Sequence, residues 1–137
     1  MAFSTFSDLI SAVSSASKGT INDLYRVLDH LARGIPHVQS LTASAAIDPN
    51  VQSVELNHAS VVVAATIADS AAHAGLFIVK NTSASGTAAH TLTLASGTFN
   101  GTAATATLNA PNEALTVYFD SEGNGTVISN VGAGALS

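Results

Sequence analysis

The chain has 137 residues, of which 47% are hydrophobic, 5% aromatic and only 9% charged, with a formal net charge of −5 at pH 7. An ordinary soluble domain carries about 25% charged residues, so a surface built from Ala, Ser, Thr, Asn and Gly points to contact with protein rather than water and predicts self-association or assembly. The four basic residues, Lys18, Arg26, Arg33 and Lys80, are too few for the phosphate-neutralising patch of a nucleic-acid binder, and the lack of cysteine excludes disulfides and thiol chemistry.

Residues 4–18 read as a short amphipathic helix. Ser4 or Thr5 can cap it, Phe6, Leu9, Ile10 and Val13 fall on one face, and Gly19 suits the position just past its end. A second helix is predicted from Thr20, whose spacing to Asp23 resembles a capping box. Its apolar stripe is Ile21, Leu24, Leu28 and Leu31, and Gly34 and Pro36 stop it. Two readings of these stripes stand: a helical hairpin packed on its own β domain, or an arm that docks on a partner or bundles with copies of itself. The second stripe fits an a/d seam for little more than one heptad, too short to specify a coiled coil alone. These apolar side chains are the candidate capsid- or self-association residues. The boundary falls near Pro36, giving an arm or anchor of residues 1–36 and a β domain of residues 37–137.

The rest of the chain reads as β. After a connector of residues 35–50 with a short strand near Val38–Leu41, Val54 and Leu56 alternate with Ser53 and Glu55. Val61, Val63, Ala65 and Ile67 are expected on one face of the next strand. Residues 75–80, GLFIVK, are apolar on both faces, which predicts a central strand or an interface. Residues 81–88 form a loop by composition. Strands at His90–Ala95, Ala103–Leu108, Ala114–Asp120 and Thr126–Val131 follow. Hairpin turns are expected at Asn100-Gly101, Ala110-Pro111-Asn112 and Asn124-Gly125, and the tail VGAGALS reads as small and flexible. The expectation is a mainly β fold, a small antiparallel β-sandwich or barrel of about seven or eight strands, preceded by the helical arm.

Motifs that carry chemistry are absent from the sequence. His30, His37, His58, His73 and His90 contain no i, i+4 pair and no HExxH, so no metal site is predicted. Asp120, Glu122 and Asn124 superficially match a calcium loop, but Val131 stands where the bidentate Glu belongs, and a hairpin loop is the expected reading. There is no GxSxG elbow, no phosphate-binding glycine motif, and no serine beside a histidine and an acid in sequence. The reading is no enzyme and no cofactor. No apolar stretch approaches the roughly 20 residues of a membrane span. Asp8 interrupts the only apolar run near the N-terminus, so no secretory signal is expected and synthesis in a cytoplasm is.

Three stretches, VELNHASVVVAATI, GLFIVKNTSASGTAAHTLTLASGTFNG and LNAPNEALTVYFDSEGNGTVISN, resemble small β modules of bacteriophage virion proteins: head decoration (cement) proteins, head fibres and tail-fibre pieces. The resemblance rests on Thr93-Leu94-Ala95-Ser96-Gly97-Thr98, then Asn112-Glu113-Ala114-Leu115, then Tyr118-Phe119 with the glycine hairpin 123–125, and covers roughly residues 39–131. It implies a non-enzymatic structural protein of a tailed phage, commonly trimeric, with an N-terminal segment that contacts the particle. The chain departs from a long fibre in having no collagen-like repeat and no extended shaft. Its length and initial Met read as a complete small product, which favours decoration of the head surface, with the major capsid protein as partner. The alternative is a host-attachment module that binds a surface glycan; its stacking platforms would have to come from Phe77, Phe99, Tyr118 and Phe119.

Overall fold

The structure, a computed structural model, describes residues 37–86, 88–132 and 134–137. The two helices expected before Pro36 lie outside the described residues. Strands form where inward aliphatic residues alternate with short polar or β-branched ones, the pattern that lets a pleated strand bury one face. They are β1 (Val38–Leu41), β2 (Ala45–Ala46), β3 (Ser53–Leu56), β4 (Ala64–Ile67), β5 (Gly75–Asn81), β6 (His90–Leu94), β7 (Thr105–Leu108), β8 (Ala114–Phe119), β9 (Gly125–Val131) and β10 (Ala135–Leu136). The helical part of the described chain is a single 3₁₀ turn, Ser70–His73, capped by Asp69.

The strands build two five-stranded sheets, β1-β3-β5-β8-β9 and β10-β7-β6-β4-β2. The mainly β expectation holds, but the antiparallel one does not. β1, β3 and β5 run parallel, as do β2, β4 and β6. Up to β6 the chain changes sheet after every strand, so each strand pairs with the one two steps earlier rather than with its predecessor. Only then does it reverse: β7 pairs antiparallel with β6, β8 with β5, β9 with β8, and β10 with β7. The sheets are therefore mixed, and the ten strands exceed the seven or eight expected. Period-2 alternation says which residues face the core; it carries no information about strand direction.

Between the sheets lies one core. Val54, Leu56, Phe77, Val79, Leu115, Val117 and Phe119 from the first sheet meet Ala65, Ile67, Leu92, Leu94, Ala106 and Leu108 from the second. Phe77 and Phe119 pack edge to face with centroids 5.8 Å apart, and Phe99 lies 6.3 Å from Phe119. Full burial of each such ring contributes roughly 1.5–3 kcal/mol.

Three local expectations are corrected. Val61 does not share the buried row of Val63, Ala65 and Ile67: β4 begins only at Ala64, and Val61 sits in the preceding loop with its side chain 58% exposed. The turn placed at Asn124-Gly125 lies earlier. Gly123 supplies the positive φ of +85°, while Gly125 is already in β9, where a Cβ would meet Val117 Cγ1 at 2.8 Å and Phe119 Cε1 at 2.9 Å. The tail also pairs rather than dangling. Ala135 and Leu136 form β10 on β7, Ser137 exchanges backbone hydrogen bonds with Thr105, and Leu136 packs against the core. By contrast, Asn100 and Gly101 do form the expected turn with φ of 49° and 81°, closing Phe99 onto Ala103.

Candidate functional site

The apolar side chains assigned to association from sequence, Phe6, Leu9, Ile10, Val13, Ile21, Leu24, Leu28 and Leu31, lie outside the described residues. Two kinds of feature in the described domain could carry function: buried polar clusters and the outer faces of the two sheets.

The most suggestive polar cluster is one the sequence did not announce. Ser83 and His90, seven residues apart and both buried, meet with Ser83 Oγ 3.1 Å from His90 Nε2. A serine beside a histidine invites comparison with a nucleophile and its base. The hydrogen bonds run the other way. The backbone N–H of Val63 donates to His90 Nδ1 at 3.0 Å, so the ring proton resides on Nε2 and is donated to Ser83 Oγ. The serine hydroxyl in turn donates to the His58 carbonyl at 3.1 Å and accepts from the His58 N–H at 3.2 Å. This imidazole cannot take a proton from the serine; it holds a loop. Burial lowers the His90 pKa from its ordinary value; the backbone of His58 opposes the shift and the neighbouring His58 ring reinforces it.

His58 works on the same loop. Its Nδ1 accepts from the N–H groups of Ser60 at 3.2 Å and Val61 at 2.9 Å. Two neutral imidazoles thus serve as acceptors for three backbone donors of residues 60–63. The sequence signal was a histidine two residues before a turn, the position where Asp or Asn ordinarily makes the same bond.

At the opposite end of the sheets, Ser70 is fully buried and its Oγ lies 2.8 Å from the Ser96 carbonyl and 2.7 Å from that of Gly123. This links the 3₁₀ turn to the loop after β6 and to the β8–β9 hairpin. His73 donates from Nδ1 to the Val51 carbonyl at 2.8 Å and sets its ring edge-on to Phe77, 5.2 Å away. The buried Glu113 carboxylate accepts from the N–H groups of Asn109 at 2.6 Å and Ala110 at 3.1 Å, fixing the crossing from β7 to β8.

The Asp120 loop is a closed hairpin. Asp120 Oδ1 accepts from the N–H groups of Glu122 and Asn124 at 2.9 Å each, and Oδ2 accepts from Asn124 Nδ2 at 3.3 Å. The Asn124 backbone bond is the largest cause of its lowered pKa. Among the described residues no group of three or more His, Asp or Glu side chains is placed to hold a metal ion, and no helix is long and apolar enough to cross a membrane.

The outer faces of the sheets remain. In the β1-β3-β5-β8-β9 sheet the register aligns three outward rows: Val38–Ser53–Ile78–Thr116–Ser129, Ser40–Glu55–Lys80–Ala114–Val131, and Leu76–Tyr118–Thr126. Leu76 is 58% exposed and Tyr118 49%. Ile128, also exposed, is the extra residue of a bulge in β9 opposite Thr116 and Val117. The outward positions of the other sheet are small: Thr107 pairs with Thr91 and Thr91 with Ala64, while Thr105 pairs with Thr93 and Thr93 with Thr66. The double-sided apolar pattern of GLFIVK therefore marks a central strand, β5, whose outward Leu76 remains open.

Comparison of the chain with protein-family models, with curated proteins and with solved structures finds no match.

Proposed function

We propose that this protein is a structural component of a tailed-phage virion, a homotrimeric decoration protein that binds the outer surface of the head through the major capsid protein and stabilises it. The observation that carries the reading is the outer face of the β1-β3-β5-β8-β9 sheet, where large apolar side chains stand exposed on a rigid sheet with one acid and one base among them. Several large apolar side chains exposed on one face of a sheet favour a contact with another macromolecule. The buried polar groups support the same reading, because Ser70, Ser83, His90 and Glu113 each spend their hydrogen bonds on the protein's own loops. Short Ser, Thr and Val side chains also lose little entropy when a broad surface is covered, and trivalent attachment raises effective concentration, so individually weak contacts suffice.

Attachment to a host glycan is the less supported reading. Phe77, Phe99 and Phe119 are fully buried, which leaves Tyr118 as the one stacking platform of the four aromatics in this domain. The test is cosedimentation of the purified full chain with expanded tailed-phage heads, followed by electron microscopy of the particles. Saturable binding at threefold or quasi-threefold positions on the head is expected. Occupancy of the tail alone, or no head binding at any concentration, sinks the reading.

A further inference from the structure

The geometry points to an acid-released latch: the loop between β3 and β4, residues 58–63, is held shut through the bare Nδ1 of His90, and a proton on that nitrogen opens the loop while both sheets stay paired. The latch is a property of the β domain alone and does not depend on what the protein binds.

Side chains, not strand pairing, hold this loop. Its flanks belong to the sheets: the Asn57 N–H donates to the Leu41 carbonyl at 2.9 Å, and the Thr91 N–H donates to the Val63 carbonyl at 3.1 Å. Between those bonds, the His58 N–H donates to Ser83 Oγ, the Ser60 and Val61 N–H groups donate to His58 Nδ1, and the Val63 N–H donates to His90 Nδ1. His90 Nε2 also engages Ser83 Oγ, which donates onward to the His58 carbonyl. One ring therefore fastens both ends of the loop, Val63 directly and His58 through Ser83. Residues 59–62 are exposed, so lifting them uncovers little apolar surface. A segment with so few buried contacts opens at a much lower cost than the whole domain unfolds. The closed loop lies tightly on the one between β5 and β6: a Cβ on Gly86 would run into the Ala59 carbonyl.

Acid acts by reversing the role of one nitrogen. Neutral His90 offers Nδ1 as an acceptor; once protonated, both ring nitrogens are donors, and Nδ1–H then faces the Val63 N–H across 3.0 Å. The described groups around the ring offer no anion to offset that charge. Val63 and His58 face it from the β3–β4 loop, Ser83 faces it from the β5–β6 loop, and Leu108 is its register partner on β7. The titratable group among them is the His58 ring. Of the charged residues on neighbouring strands, Glu113 turns its carboxylate to the N–H groups of Asn109 and Ala110, and Lys80 stands on the outward row of β5. Burial, reinforced by the His58 ring, keeps the His90 pKa low while the loop is closed. An opened loop returns the ring to water and to its ordinary 6.5. The open form thus binds the proton first, and falling pH favours it.

The test is amide hydrogen exchange of the full chain, read residue by residue by NMR between pH 7.5 and 5 and corrected for the intrinsic rate of each amide, with the His90 ring signals followed in the same samples. The His58 and Val63 amides are expected to lose protection by up to about tenfold per pH unit below about pH 6.5, while the strand amides of β5 and β8 stay far better protected at every pH. Ser83→Ala is expected to loosen both loop amides at neutral pH without unpairing the strands. His90→Asn is expected to leave their protection independent of pH. If His90→Asn does not fold, the wild type decides: a His90 ring that takes up its proton over the same pH range as the loop opens supports the latch, and a ring that stays neutral as the loop opens overturns it. Loop protection that does not change with pH, loop amides that exchange only together with those of β5 and β8, or a pH dependence that persists in His90→Asn also overturns it.

Discussion

In each sheet three parallel strands are followed by two antiparallel ones, and in each the inward rows are apolar: Val54, Phe77, Val79 and Leu115 in one, Ile67, Leu92, Leu94 and Leu108 in the other. The outward rows diverge. One sheet presents Val38, Ile78, Leu76 and Tyr118; the other presents Thr66, Thr91, Thr93, Thr105 and Thr107. Thr and the β-branched aliphatics suit a strand equally well, so strand formation alone gives no reason for the outsides to differ. The inward rows answer to folding, while the outward rows are at liberty to answer to a partner.

Equivalence of the inner rows is the first thing to break. Phe77→Ala is expected to cost about 3–5 kcal/mol and Leu92→Ala about 2–5 kcal/mol, since both side chains are fully buried in one shared core. Denaturant titration of the two variants should show single transitions that lose stability from either sheet. A second, independent transition for one sheet would show that the core is not shared.

The ties at the two ends come next. Gly123 has a φ of +85°, and a Cβ there would sit 2.5 Å from Ser70 Oγ and 2.9 Å from the Ala71 nitrogen. Gly123→Ala is therefore expected to cost more than about 2 kcal/mol, through the left-handed backbone and the displaced Ser70 link together. Thermal unfolding checks it; an unchanged melting temperature would mean that the Ser70 link carries little of the joint between the sheets.

At the other end the tie is sensitive to acid. Burial holds the His90 pKa below its ordinary 6.5, so the unfolded chain binds the proton first as pH falls. The contribution of neutral His90 is complete above about pH 6.5 and is lost progressively below it, with a limiting slope of about 1.4 kcal/mol per pH unit. Protonation also turns Nδ1 into a donor facing the Val63 N–H. Chemical denaturation at several pH values should give a shallower acid-side fall for His90→Asn than for the wild type, from a lower starting stability. Parallel curves would assign the acid sensitivity to other groups.

Much of the inner half of this architecture is legible in the sequence. Leu92 and Leu94, or Leu115, Val117 and Phe119, alternate with polar residues, and that alternation fixes the buried face. The winding between sheets is not legible. Val38 aligns with Ser53 and Ser53 with Ile78, so successive passes differ in length and leave no repeat to detect. Likewise β10 is hidden because a two-residue strand in VGAGALS owes its place to backbone pairing with β7 rather than to a pattern of its own. The histidine clip is obscured by distance: His58, Ser83 and His90 come together only because β5 returns the chain to the end of the sheets at which β3 finishes and β6 starts. The exposed face was half visible. GLFIVK revealed a strand apolar on both sides, yet only the register shows that Leu76 stands beside Tyr118 and Ile78 beside Thr116.

The smallest stability effects bear most directly on the difference between the two outsides. Ile78→Thr with Tyr118→Thr gives the first sheet an exterior like that of the second. Thr91→Ile with Thr107→Ile does the reverse, at two positions paired across β6 and β7. All of these side chains point away from the core and Thr is a good strand residue, so each pair should shift monomer stability by no more than about 1 kcal/mol. Association should respond much more strongly and in opposite directions. The first pair is expected to lower the oligomer mass measured by light scattering. The second is expected to create a new apolar patch that associates in a concentration-dependent way. If both pairs leave the mass unchanged, the outward rows are interchangeable, and their divergence reflects no contact at all.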